Sequence, residues 1–203
     1  MTEKAQTGTE GTAAKKGRSR TRFASRDEVI ASVLPVFRKY GLDGATLSVL
    51  SEEIGLQRSS LYHHFPEGKE QMAAACLEQA GAQFKAQVFD VLASNEDPQV
   101  RIRKVTETLR RYYEDGRLGC LLAAFALENS RARFGPQLDR GLRDWIAAAA
   151  KLFRDQGQGE GAALEAAEEV VSAIQGGLIV SLCLGSNRAF LRAVGQLDRF
   201  SDR

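Results

Sequence analysis

The stretch TLSVLSEEIGLQRSSLYHHFPEGKEQM, residues 46–72, decides how this chain folds. Thr46 is a good helix cap, because its hydroxyl accepts from a first-turn N–H. Leu47, Leu50 and Ile54 follow at helical spacing, and Gly55 is a natural C-terminal stop. A further short helix fits about Gln57 to Phe65 and ends at Pro66. Gln57 is a weaker start than Ser or Thr. Upstream, Ser25 caps a helix with Asp27 and Glu28 in its first turn and Ile30, Val33, Leu34 and Phe37 on one stripe. Pro35 predicts a kink in its middle, and Gly41 ends it. Three helices in about 40 residues, the last two short and joined by a turn at Gly55 and Leu56, form a helix-turn-helix.

The adjacent histidines, His63 and His64, are compatible with metal binding, acid–base catalysis or a reading face on DNA. Geometry separates these. Each helical residue turns about 100°, so with Arg58 at zero, Leu61 and Phe65 set an inward direction of about 320°. His63 lies opposite, Ser59 about 40° from it, and Tyr62 and His64 on the flanks. The histidines diverge by about 100°, unlike the i, i+4 pair of a zinc-binding helix. The chain has only these two histidines, and no Glu or Cys stands at helical spacing to form an acid–base pair with His63. We therefore expect no metal, no cofactor and no enzyme chemistry here. DNA contact uses every residue type present. Arg58 suits a guanine edge or a phosphate, Ser59, Ser60 and His63 suit base edges, and the Tyr62 hydroxyl suits a phosphate. Lys69 and Thr46 stand at helix starts, where N–H groups and the dipole favour an anion. The structural alternative is that Thr46 is only a cap and that Tyr62 and His64 are half-buried packing residues.

With 43% hydrophobic and 27% charged residues, the 203-residue chain has enough apolar material for a core. Residues 1–22 carry six basic side chains against two acidic ones, leaving the rest of the chain at −2 of the overall +2. We read them as a disordered basic arm, with Arg18, Arg20 and Arg22 beside the first helix and within reach of phosphates or a minor groove. Residues 23–67 form the helix-turn-helix unit and 68–203 a larger helical bundle, so the fold class is all-α. Beyond a fourth helix over 68–92, helices are predicted at about 98–114, 119–131, 136–155, 162–184 and 187–197. Their breaks are expected at DG 115–116, FGP 134–136, GQGEG 157–161 and GSN 185–187. GQGEG has no strand before it and reads as a connector, not a phosphate loop. Cys76, Cys120 and Cys183 form no CxxC pair and read as small buried hydrophobes in a reduced setting. The N-terminus lacks a signal-peptide pattern, and the apolar run 170–185 is shorter than a membrane span and reads as a buried helix. The expected location is the cytoplasm, without membrane contact.

Taken together, TLSVLSEEIGLQRSSLYHHFPEGKEQM and the preceding RKYGLDGATL resemble the helix-turn-helix signature of the TetR family of transcriptional regulators. The match covers residues 26 to about 80. PEGKE and GCLLAAFALE at 119–128 are similar to the branch with LmrA/YxaF-like C-terminal domains. This resemblance implies a homodimer paired through the last two long helices, each subunit placing its third helix in a major groove of a palindromic operator on double-stranded DNA. It also implies a small hydrophobic effector that enters the bundle, shifts the fourth helix and releases the DNA, so that the protein is a ligand-responsive repressor.

Phe84, Phe125, Asn129, Trp145, Gln175 and Cys183 are candidates for the lining of such a cavity. Ala166, Ala167, Ala173, Gly176 and Gly177 permit close helix approach, and Leu138, Leu142, Trp145, Ala149 and Leu152 share one side of their helix. Both sets suit a dimer seam or, equally, the subunit's own core. The competing functions are a constitutive DNA-binding regulator without a ligand and an all-α interaction protein that does not bind DNA.

Overall fold

The computed structural model of the protein describes residues 25–126 and 131–199. The basic arm at 1–22 and the cavity candidate Asn129 lie outside them. The described residues contain helices and no strand.

Helix α1 (Arg26–Gly44) starts with a reciprocal cap: Ser25 Oγ accepts from the Glu28 N–H, and the Glu28 carboxylate accepts from the Ser25 N–H. Its one non-helical residue is Gly41, at φ 67° and ψ −174°. The break falls at Gly41, where the sequence places the helix end, and Pro35 keeps helical backbone. Pro35 and Ala31, four residues earlier, are both exposed, so water can satisfy the carbonyl that proline leaves unpaired. Helices α2 (Leu47–Ile54) and α3 (Arg58–His64) follow, then α4 (Lys69–Phe84), which passes through a π-helical turn (Lys85–Phe89) into α5 (Asp90–Leu92). Next come α6 (Pro98–Tyr112), a 3-10 turn (Glu114–Gly116), α7 (Leu121–Ala126), α8 (Arg131–Asp155), α9 (Glu160–Leu184), α10 (Arg188–Val194) and α11 (Gln196–Arg199).

The expected break at FGP 134–136 is absent, and α8 runs through Pro136. The reason is the same as at Pro35. Pro136 and Ala132 are both exposed, so a missing hydrogen bond is made good by solvent.

Two hydrophobic cores organise these helices. The first joins Val29, Val33 and Phe37 of α1, Leu50 of α2, Leu61 of α3 and Met72 to Ala80 of α4, with Leu121 and Phe125 of α7 inserted. The second joins Phe84, Val88 and Leu92 to α6, α8, α9 and α10. The division between these two cores falls inside α4. Leu138, Trp145, Ala149, Leu152, Ala167 and Gly177, candidates for a dimer seam, are buried within the subunit. At Gly177 a β-carbon would lie 3.1 Å from the Ala189 carbonyl, so glycine is what lets α10 cross α9. The run 170–185 is not wholly buried either. It belongs to a 25-residue helix, long and apolar enough to cross a membrane by length and composition, with one face packed on α8 and α10. On its other face Ile179, Val180, Leu182 and Leu184 are exposed, Leu184 at 73%. Cys183 is exposed as well, whereas Cys76 and Cys120 are buried. Burial pushes the Cys76 thiol up to about 12, which leaves it inert as a nucleophile.

The far end of the bundle is tied by Arg101, whose guanidinium is buried. Its Nη1 donates to the Leu92 carbonyl at 2.8 Å and to Asp155 Oδ2 at 2.7 Å, joining the end of α5 to α6 and α8. Lys151 also reaches Asp155, and hydrogen bonds from Lys151 and then Arg101 hold that carboxyl below its usual range against the opposing effect of burial. A depressed folded value means stability that is present above about pH 4 and lost as pH falls toward the folded value. We expect Asp155→Asn to destabilise the protein by about 1–3 kcal/mol at neutral pH, less than a fully buried pair because the carboxylate is one-third exposed. In urea melts at a series of pH values, the difference from the parent should shrink below about pH 4.

Candidate nucleic-acid interface and bundle cavity

Helix α3 has seven residues, too few to persist alone, and tertiary burial holds it. Leu61 and Phe65 are fully buried, and Arg26 of α1 lies over the Phe65 ring at 4.8 Å. The turn from α2 is equally constrained. Gly55 sits at φ 69°, the Leu56 N–H returns to the Ser51 carbonyl at 3.1 Å, and the Ser51 hydroxyl donates to the Leu56 carbonyl. Gln57 makes no side-chain cap.

Arg58, Ser59, Tyr62 and His63 are exposed, His63 on the side opposite Leu61 and Phe65, and Ser60 and His64 are half-buried. The His63 and His64 rings are closer than helical angles alone imply, with centroids 5.4 Å apart, edge to face. Among the described residues no group of three His, Cys, Asp or Glu side chains is placed to hold a metal. Arg58 Nη2 hydrogen-bonds the hydroxyl of Ser48 on α2, so the two helices share one polar surface. Ser48 was not singled out in the sequence. Its signal is the exposed polar position two residues after the Thr46 cap. Thr46 is exposed, and its Oγ1 accepts from the Val49 N–H at 3.3 Å. Lys69 is half-buried, and its Nζ donates to the Leu42 carbonyl at 2.8 Å, so its ammonium props α4 against the end of α1 as well as standing at a helix start.

Within the bundle lies a cavity of about 510 Å³ walled by Leu77, Phe84, Phe89, Tyr112, Cys120 and Trp145. Phe84 meets Trp145 at 4.9 Å and Tyr112 at 5.1 Å, both edge to face. Glu78, Gln137, Arg140 and Asp144 add polar groups to the lining. Burial raises the Tyr112 hydroxyl above its ordinary value, with Arg38 opposing, and raises Tyr113 well above it. Phe84 and Trp145 thus fall in this wall, whereas other candidates lie elsewhere. Phe125 is fully buried in the first core, 5.8 Å from Phe37, where it wedges α7 against α1. Gln175 lines a separate, more open apolar recess with Leu142, Ile146 and Ile179, and its Nε2 lies 3.5 Å from Cys120 Sγ. Cys183 is exposed on α9. Tyr112 and Cys120 were missed because they flank a turn, where helical periodicity gives no direction.

Residues 34–76 match the family described as bacterial regulatory proteins, tetR family, and residues 98–196 match the C-terminal domain of LmrA/YxaF-like transcriptional regulators. The chain belongs to the TetR family. The HTH-type transcriptional regulator LmrA of Bacillus subtilis is 26% identical over 164 residues, covering 78% of this chain and 86% of LmrA. A TetR transcriptional regulator from Legionella pneumophila superposes with a TM-score of 0.76 at 17% identity, covering 88% of this chain and 98% of its own. A cysteine mutant of the TetR family regulator CifR, solved in complex with double-strand operator DNA, superposes at 0.68 with 23% identity, covering 89% and 98%. These two likenesses concern the fold. Membership in the TetR family makes this protein a DNA-binding transcriptional regulator.

Proposed function

We propose that the protein is a cytoplasmic, homodimeric repressor that reads a palindromic operator with α3 and is released by a small hydrophobic molecule bound in the bundle. The observation that carries this reading is the aromatic-walled cavity beside α4. That helix contributes Met72 to Ala80 to the first core and Phe84 to the second and to the cavity wall. A ligand pressing on Phe84 therefore acts on the element that supports the reading head. The π turn at Lys85–Phe89 adds to this, since such turns concentrate at functional positions in helices. Each tenfold loss of DNA affinity requires the ligand to prefer the released form by about 1.4 kcal/mol. Titration of the DNA-bound protein with neutral aromatic compounds should change the emission of Trp145, the chain's single tryptophan, as DNA anisotropy falls. Compounds that alter Trp145 yet leave DNA bound would indicate a constitutive regulator instead.

For the DNA contacts, support comes from the exposure of Arg58, Ser59, Tyr62 and His63 on one face, with Ser60, Thr46 and Lys69 at its margins. On a duplex selected by the protein from a random-sequence pool, Arg58→Ala should weaken binding by about 1–3 kcal/mol and relax preference at one base. Tyr62→Phe should weaken it by about 1 kcal/mol at every sequence. Binding fully competed by nonspecific DNA in the parent protein would sink the reading of a specific operator.

For the homodimer, support comes from the apolar stripe of α9. Ile179, Val180, Leu182 and Leu184 are exposed, and a β-carbon at Gly176 would meet nothing within 4 Å, leaving room for another helix. A dimer places symmetric half-sites about 34–36 Å apart or a multiple of that. Sedimentation equilibrium should show Ile179→Glu shifting the protein to monomer with its helical signal intact. A parent that is already monomeric at micromolar concentration would rule this surface out.

A further inference from the structure

Arg38 is a buried charge that faces the bundle from α1. Its Nη1 donates to the carbonyl of Tyr112 at 3.3 Å, and its guanidinium carbon lies 4.3 Å from the centre of the Tyr112 ring. Its Nε is buried without a hydrogen-bond partner. The ring and that carbonyl, both from one residue, are thus principal supports of this cation. Tyr112 in turn stands in the cavity wall and meets Phe84 edge to face. One residue therefore touches the cavity on one side and the reading head's first helix on the other.

The segment after Tyr112 is not free to absorb a displacement. Glu114 and Asp115 hold left-handed backbone at φ 48° and 53°, a region unfavourable for residues other than glycine. Arg110 grips Asp115 at 2.8 Å, and Gly116 lies so close to Phe190 that a β-carbon would come within 2.8 Å of it. Further on, a β-carbon at Gly119 would lie 3.4 Å from the Arg38 carbonyl, so the same segment meets α1 a second time.

We infer that Arg38 and Tyr112 form a clamp that couples occupation of the cavity to the position of α1 and hence to DNA binding. This rests on the ligand-responsive reading above and deepens it by naming the coupling residues. A ligand that turns the Tyr112 ring removes the face supporting the guanidinium. With Nε already unpartnered, loss of that face leaves the buried guanidinium short of partners, and a desolvated charge moves to regain them. Arg38 then moves, and α1 moves with it. Because α1 packs directly on α2, α3 and α4, the reading head follows. The rival route runs through α4 alone and does not need Arg38.

Linkage makes the test possible without knowing the natural ligand, since DNA must alter the cavity as much as the cavity alters DNA. With the full chain and a duplex selected from a random pool, the affinity of a neutral naphthylamine dye is measured with and without saturating DNA. Trp145 emission is recorded on adding DNA without dye. In the parent, DNA should weaken the dye by about fivefold or more and shift Trp145 emission. Tyr112→Phe keeps the ring and should keep both effects. Arg38→Met and Tyr112→Leu should each bring the ratio to within about twofold of one and abolish the Trp145 shift, while still binding DNA. Should Arg38→Met fail to fold, Tyr112→Leu alone decides. Coupling that persists in the clamp variants overturns the proposal in favour of the α4 route, and a parent whose Trp145 ignores DNA overturns both routes. A dye that does not bind counts against the ligand reading, while the Trp145 response to DNA still decides the clamp.

Discussion

One helix has to serve two hydrophobic cores. The first half of α4 buries Met72, Ala73, Cys76 and Leu77 against α1, and its second half buries Phe84 against α6 and α8. A stripe on a straight helix drifts only about 20° per seven residues, so one aimed at one core does not turn far enough to face another that lies in a different direction. The π turn at Lys85–Phe89 inserts extra backbone and re-aims Val88 and Leu92 into the second core.

The same constraint leaves the short helices dependent. Helix α3 contributes only Leu61 and the adjoining Phe65 to burial, and these two side chains hold it in place. Ser60 and His64 are half-buried beside them, and the other positions are free of the core, which is why Arg58, Ser59, Tyr62 and His63 can all be polar and exposed at once. Burying two large apolar residues stabilises by roughly 3–6 kcal/mol, enough to fix a seven-residue helix that is unstable in isolation.

The bundle shows the opposite economy. Helix α9 is apolar around much of its circumference, and the subunit covers only part of it, whereas α8 carries charged residues on its outer face. Trp145, Ala149 and Leu152 belong to the second core, whereas Ile179, Val180 and Leu184 are exposed. The aromatic side chains between α4, α6 and α8 meet edge to face and leave a cavity rather than a filled core. A residue such as Arg38 belongs to neither core by composition, yet its cation needs an aromatic face that only the bundle supplies.

Local chemistry was legible in the sequence. The caps at Ser25 and Thr46, the stops at Gly41 and Gly55, the inward Leu61 and Phe65 and the exposed His63 all follow from near neighbours and the helical period. So did the helix-turn-helix, because its turn is closed by residues five apart. Tertiary structure decided what depends on distant partners. It let Pro35 and Pro136 stay inside helices, because solvent covers their unpaired carbonyls. It sent Phe125 to the first core and Phe84 to the cavity, although both are aromatic residues on helices. It split α9 into a covered and an uncovered face, and it brought Arg38 to Tyr112 across 74 residues. Periodicity says that a stripe is apolar. Which surface covers it, if any does, is set by the packing of elements far apart in the chain, and no local pattern encodes that.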